Sequence, residues 1–251
     1  MTLSIDTAMV LAAGLGRRMR PLTDTMPKPM VPVLGKPLID YALDRFACGG
    51  IDNAIVNVHY FADQIEQHLE ARESPAIRIS DERGELLETG GALLKALPLL
   101  ESDKPFFCTN TDAILLDVDE EACASLVAAW RDNEMDALLL LCPVARASGY
   151  DGNGDFIMGE DGRLVWPDAS ASAGQKKVLV FTGLQILHPR LFQDEPLRCV
   201  STKAFWDKAM AQGRLFGCPY DGWWMHVGDP QGVKQAEELL QSAEQGQMND
   251  R

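Results

Sequence analysis

The chain reads as an α/β protein, a Rossmann-like, mixed and mostly parallel sheet flanked by helices. Three observations predict this class. From the amino terminus onward, short apolar segments that fit buried strands alternate with amphipathic helical segments, the rhythm of βαβα units. The first strand runs directly into a turn of small residues, Ala12-Ala13-Gly14-Leu15-Gly16, at the strand end where such sheets bind ligands. A chain of 251 residues, 46% hydrophobic and 24% charged, can bury a substantial core. No run reaches the roughly 18 apolar residues that a membrane helix needs.

The elements follow in order. The seven residues ending at Ala13 form the first strand, and its two alanines leave the tip almost without side-chain bulk. Gly14 and Gly16 let the backbone turn sharply and approach a ligand, so main-chain N–H groups can face anionic oxygens. Leu38–Cys48 carries Leu38, Ile39, Ala42, Leu43 and Phe46 at helical spacing and stops at Gly49-Gly50. Ala54–Val58 is a buried strand, Ala62–Leu69 a helix and Ala76–Ser80 a further strand. Arg83–Leu97 joins a glycine turn to a new helix, and Phe106–Cys108 continues a strand that stops at Thr109–Asp112. A helix over Glu120–Trp130 and a strand over Ala137–Leu141 come next. Ser148–Gly162, rich in Gly, Asp and Asn, marks tight turns around one short strand, and Pro167–Gly174 reads as a mobile surface loop. Val178–Leu187 is a long strand containing Thr182-Gly183. Lys203–Ala211 is a helix, Leu215–Pro219 a strand, and a closing helix runs from Gln231.

Charge is distributed unevenly. Between Arg17 and Lys36 lie Arg17, Arg18, Arg20, Lys28 and Lys36 against the single acid Asp24, in a chain of formal charge −14. This local positive field beside a glycine turn reads as a polyphosphate site; the plainer alternative is a turn next to a solvated basic run. A P-loop needs G-x-x-x-x-G-K-[ST], and a dinucleotide fingerprint needs a third Gly or Ala where this chain has Met19, so neither is present. The acidic balance excludes a broad nucleic-acid or anionic-membrane surface. The opening MTLSIDT lacks the features of a secretory signal, and six scattered cysteines without a C-x-x-C pair fit reduced thiols in a cytoplasm. Metal chemistry is therefore expected from oxygen ligands.

Leu11-Ala12-Ala13-Gly14, Gly16, Arg18-Met19, Pro21-Leu22-Thr23 and Pro27-Lys28-Pro29 together resemble the signature of the sugar-1-phosphate nucleotidylyltransferase family, and the likeness covers nearly the whole chain. The resemblance implies the nucleotide-diphospho-sugar transferase fold, as one catalytic domain over residues 1–251. No hexapeptide repeats follow, so the C-terminal β-helix of some relatives is not expected. It implies an enzyme that joins an NTP to a sugar 1-phosphate and releases pyrophosphate. Leu11, Ala12, Ala13, Gly14, Gly16 and Asn110 would surround the nucleotide. Arg18 would neutralise the β and γ oxygens, and Lys28 would stabilise charge at the α-phosphorus or on the acceptor phosphate. In this family a Gln or Glu five residues before a glycine reads the base, which falls on Glu85 before Gly90. The same residues also fit a helix start capped by Thr89, with Glu88 near its positive end.

Asp112 takes the place of the family's Mg²⁺-binding aspartate, with Thr111 replacing the usual glycine; read alone, it also fits a turn residue. Relatives carry a second aspartate in W-x-D-x-G-[ST]-P, where this chain has His226. Imidazole suits softer ions than magnesium, so His226 would touch a metal-bound water, bind Mn²⁺ or orient a phosphate. Gly154, Thr182 and Gly183 fall where the family has its sugar-phosphate pocket, although Thr182-Gly183 also fits a structural bulge. The Glu-Lys-Pro motif of some relatives has no counterpart near Pro167–Gly174, which leaves the sugar open. Short family members that share these motifs act on UTP and N-acetylmuramate 1-phosphate or on GTP and mannose 1-phosphate, and the uridylyl reading is favoured. The alternative of another class is a non-catalytic, nucleotide-binding regulator. The expected partners are an NTP and a sugar 1-phosphate, with no nucleic acid or membrane, for a cytoplasmic monomer or homodimer.

Overall fold

The computed structural model describes residues 5–100, 103–167 and 178–246. Beyond Pro167, the loop expected over 167–174 lies outside these residues. The first half comprises β1 (Thr7–Leu11), β2 (Pro32–Val33), β3 (Lys36–Pro37), α1 (Leu38–Cys48), β4 (Asn53–Val58), α2 (Ala62–Leu69), β5 (Ala76–Asp81), α3 (Glu88–Ala96) and β6 (Phe106–Asn110). The second comprises β7 (Ala113–Leu116), α4 (Ala122–Ala129), β8 (Ala137–Pro143), β9 (Ala147–Ser148), β10 (Phe156–Met158), β11 (Leu164–Val165), β12 (Val178–Leu187), α5 (Lys203–Ala211), β13 (Leu215–Pro219), β14 (Trp223–His226) and α6 (Pro230–Glu244).

The main sheet has the order β11-β10-β12-β6-β1-β4-β5; β8 branches from β12, and β13 pairs with β8. Its centre, β6-β1-β4-β5, is parallel, as the βαβα rhythm implies. The long β12 lies antiparallel to both β6 and β8, which makes the sheet mixed. Ala8 and Val10 of β1 face a layer containing α1, α2 and α4, and Met9 faces a layer containing α3 and α5; all three are fully buried. A strand covered on both sides needs no polar alternation, which is why β1 reads as one apolar run. A third cluster packs α6 and β14 beneath the basic loop through Met19, Val31, Met225, Val227 and Ala236. These contacts hold the loop against the same edge of the sheet.

Three boundaries differ from expectation. β1 ends at Leu11 because the Ala12 N–H donates to Asn57 Oδ1 at 2.7 Å instead of to a strand partner. β6 runs on to Asn110, and β7, which the sequence does not announce, follows Asp112 and pairs antiparallel with the distant β14. The fourth helix starts at Ala122, where the Glu121 carboxylate accepts the Cys123 and Ala124 N–H groups.

His188 shows how a titratable side chain is built into this framework. Its Nδ1 accepts the Arg190 N–H at 3.1 Å, and its Nε2 lies 3.5 Å from Asp132 Oδ1. Burial pushes its pKa below the ordinary value of 6.5; Arg190 and Arg214 add to this, while Asp132 and Asp136 oppose it. The unfolded chain therefore takes up a proton near 6.5 that the folded chain resists. This contribution to stability is complete above that pH and is lost as pH falls toward the folded value. His188→Asn keeps an acceptor for the turn but cannot titrate, so its unfolding free energy should fall less than wild type between pH 7 and pH 5.5 in denaturant melts.

Candidate active site

The tip of β1 opens into a cavity of about 400 Å³ lined by Leu11, Ala12, Ala13, Gly14, Gly16, Arg17, Arg18, Lys28, Asn110 and Asp112. Asn57, Glu82, Leu86, Glu88, Thr89, Thr111, Pro29 and Gly228 complete its lining. Gly14 carries no side chain toward the opening, and a Cβ there would meet nothing within 4 Å. Gly16 is required for a different reason. Its φ is +60°, and a Cβ would stand 2.9 Å from both Lys28 Cβ and Thr23 Cγ2. Thr23 Oγ1 donates to Gly16 O at 2.8 Å, so the turn and the Pro-Lys-Pro segment close on each other. Pro27 and Pro29 flank Lys28 in a 3-10 turn, with the Met30 and Val31 N–H groups donating to Pro27 O and Lys28 O.

Lys28 Nζ lies 2.7 Å from Asp112 Oδ2, with side chains 12% and 23% exposed, so two residues 84 positions apart meet inside the cavity. Burial pushes the Asp112 carboxyl up, but the Lys28 ammonium and the His226 ring outweigh it and hold it below the usual carboxylate range. Thr111 Oγ1 donates to Leu11 O at 3.3 Å, and the Val227 N–H donates to Asp112 O at 2.8 Å. The β7–β14 register places His226 opposite Ala113, the residue after Asp112. Burial lowers the His226 pKa; Asp112 opposes this, and Lys28 and Arg18 reinforce it. The ring therefore holds a proton less readily than a free imidazole does.

Arg17 and Arg18 are exposed cavity residues with no carboxylate partner among the described residues. Arg20, by contrast, pairs with Asp24 at 3.2 Å outside it. Three cations thus reach one cavity, and only Lys28 is neutralised. Such a field favours a polyanion.

Some expected residues are not brought here. Glu85 is exposed and outside the lining; Glu82, fully buried, takes the inward position instead. Asn57 makes that choice: its Nδ2 donates to Glu82 Oε1 at 2.8 Å, while the Leu87 N–H donates to Glu82 Oε2 at 3.2 Å. The signal in the sequence is one polar residue, Asn57, inside the buried run Ala54–Val58. Gly90 is also outside the lining. Its N–H and that of Gly91 both donate to Val200 O, and a Cβ at Gly90 would stand 2.8 Å from the Ser201 backbone, so close packing explains the glycines. Thr89 does not cap α3; its hydroxyl accepts the Thr202 N–H at 2.9 Å.

The expected sugar-phosphate residues divide. Gly183 abuts the cavity, since a Cβ there would stand 3.3 Å from Asn110 Nδ2. Thr182 is fully buried and its hydroxyl donates to Leu140 O at 3.0 Å, at a register shift in β12, which is the bulge reading. Gly154 lies away from the lining: its φ is +102°, its N–H donates to the Tyr150 hydroxyl at 3.1 Å, and a Cβ would stand 2.5 Å from Val178 Cγ1. His226 is not itself in the lining but adjoins it, its Nε2 lying 2.5 Å from the Cβ position of Gly228.

Comparison with known proteins gives a consistent picture. Residues 7–153 match the Nucleotidyl transferase family. The chain is 44% identical over 240 residues to an N-acetylmuramate alpha-1-phosphate uridylyltransferase of Caulobacter vibrioides, covering 94% of this chain and 97% of that protein. A protein of the same name from Neisseria meningitidis serogroup B is 34% identical, covering 92% and 97%. A UDP-glucose pyrophosphorylase crystallised with UDP-glucose shares the fold, with a TM-score of 0.76 at 17% identity and coverage of 96% and 100%. With a family match over more than half its length and relatives matched end to end, the chain belongs to the nucleotidyl transferase family, as a sugar-1-phosphate nucleotidylyltransferase.

Proposed function

We propose that the protein transfers UMP from UTP to N-acetylmuramate 1-phosphate, forming the UDP-sugar and pyrophosphate. The observation that carries this reading is the convergence of Arg17, Arg18, Lys28 and Asp112 on one cavity at the strand edge. The substrate pair comes from the two uridylyltransferase relatives. An oxygen of the sugar phosphate forms a bond to the α-phosphorus, and the bond from that phosphorus to the pyrophosphate oxygen breaks. No protein nucleophile is required. The obstacle is repulsion between two anions, which fixed cations and backbone amides reduce. Arg17 and Arg18 bind the triphosphate tail, Gly14 lets it approach the β1 tip, and Lys28 stabilises charge around the α-phosphorus. Glu82, held by Asn57, faces the base in the role that the family pattern gives to Glu85.

The donor set fits a divalent ion of the kind that takes few protein ligands. Asp112 has one oxygen on Lys28 and the other outside that bond, with the His226 ring beside it. No group of three or more His, Cys, Asp or Glu converges among the described residues, so substrate phosphates and water must supply the remaining ligands, as suits Mg²⁺. Bound there by Asp112, with His226 adjoining, Mg²⁺ or Mn²⁺ would neutralise phosphate charge. We further place the protein in the cytoplasm, acting as a single catalytic domain, monomeric or homodimeric, without nucleic-acid or membrane partners. The charge of −14 supports the absence of nucleic-acid and anionic-membrane partners, and six free cysteines suit a reducing compartment.

Pyrophosphate release tests the function. UTP, GTP, CTP and dTTP should each be mixed with N-acetylmuramate 1-phosphate, mannose 1-phosphate and N-acetylglucosamine 1-phosphate. UTP with N-acetylmuramate 1-phosphate should exceed every other pair at least ten-fold in kcat/KM. Preference for GTP with mannose 1-phosphate would overturn the substrate assignment, and no release from any pair would favour a non-catalytic nucleotide-binding protein.

A further inference from the structure

Glu88 lines the cavity, is exposed, and makes no hydrogen bond or ion pair among the described residues. Its φ is +58°, in the left-handed region that L side chains rarely adopt. Of the four described non-glycine residues with positive φ, Leu34, Phe61, Glu88 and Asp194, it alone lines the cavity. A glycine would hold this conformation without strain, so the folded backbone gives no reason for a glutamate. An acid is often favoured in the first turn of a helix, but two of the amides there, from Gly90 and Gly91, are already directed at Val200 O. Packing does not retain the side chain either, because it is exposed.

What remains is a ligand. A carboxylate only accepts hydrogen bonds, and it repels phosphate, so the triphosphate and the sugar phosphate must lie toward Arg17, Arg18 and Lys28. A nucleotide and an N-acetyl sugar phosphate offer a carboxylate three kinds of donor: the base N–H, which the reading above gives to Glu82, the acetamido N–H, and the hydroxyls, which are the most numerous. Resting on the nucleotidyl-transfer reading above, we infer that Glu88 is a binding residue that accepts hydrogen bonds from ligand hydroxyls in this cavity. Those hydroxyls belong either to the ribose of the nucleotide or to the hexose ring of the acceptor. A strained, solvent-facing residue whose side chain serves binding rather than folding has a distinctive signature: removing it relieves the backbone and weakens the ligand.

Calorimetric titration of UTP, 2′-deoxy-UTP, 3′-deoxy-UTP and N-acetylmuramate 1-phosphate, each with MgCl₂, into wild type, Glu88→Gln and Glu88→Gly tests this. Glu88→Gly should keep or raise the Tm and should bind UTP or the sugar phosphate at least ten-fold more weakly, with Glu88→Gln in between. If the ribose is the donor, wild type separates UTP from a deoxy analogue and Glu88→Gly does not. If the hexose is the donor, only sugar-phosphate affinity falls. Unchanged affinity for both ligands in Glu88→Gly, or a lowered Tm, would overturn the inference while leaving nucleotidyl transfer intact. A wild type that bound neither ligand would overturn both readings.

Discussion

Asp112→Ala is expected to lower the turnover of UTP and N-acetylmuramate 1-phosphate by about 10²–10³-fold, the range found when one preorganised charge-stabilising group is removed from an active site. The carboxylate is the only acid in contact with Lys28 among the described residues, at 2.7 Å, and its backbone carbonyl is tied to Val227, which follows the strand that carries His226. Truncation removes the oxygen ligand for a divalent ion and leaves the Lys28 ammonium without its partner. Because the pair is partly open to water, with side chains 12% and 23% exposed, the stability loss should be about 1–3 kcal/mol, typical of one unsatisfied group. Pyrophosphate release and a denaturant melt on the same preparation separate the two effects. Near wild-type turnover would remove Asp112 from the reaction, whereas loss of turnover together with global unfolding would make it a structural residue.

Lys28→Ala should reduce kcat about 10²–10³-fold while raising the KM for UTP less than ten-fold. The asymmetry follows from the other cations. Arg17 and Arg18 reach the cavity independently of Lys28, so ground-state attraction for the triphosphate persists when the lysine is lost. Lys28→Arg should not restore the rate. The segment closes so tightly on Gly16 that a Cβ there would stand 2.9 Å from Lys28 Cβ, and a planar guanidinium cannot replace the ammonium beside Asp112. Steady-state kinetics of the two variants check this; a rise in KM without a fall in kcat would make Lys28 a simple binding cation.

Much of the scaffold can be read from local pattern. Leu38–Cys48 and Ala62–Leu69 carry their helical periodicity and their ends within the segment itself, and both helices have those bounds. The basic loop is legible for the same reason: glycines, prolines and cations occur within one short stretch. What cannot be read depends on residues far away in sequence. Glu82 and Glu85 are indistinguishable as letters, and Asn57, 25 positions before Glu82, decides which one turns inward. Gly90 looks like a ligand-facing glycine until Val200 and Ser201 are packed against it. β7 is four residues long and exists because β14 pairs with it across more than a hundred positions. The Lys28–Asp112 contact spans 84 positions and is legible only through the family pattern, not through spacing.

The central claim is that a cationic amino-terminal loop and one carboxylate over the same sheet edge receive a nucleoside triphosphate. Amide hydrogen exchange with and without UTP and MgCl₂ tests it most directly, because Ala13, Gly14, Gly16, Arg17 and Arg18 line the cavity of the proposed ligand, whereas Asp40, Asp44 and Arg72 lie on a separate surface between α1 and α2. New protection is expected over residues 13–18 and 110–112, with exchange around Asp40–Asp44 unchanged. Protection confined to that second surface, or none over the glycine turn at saturating UTP, would contradict it.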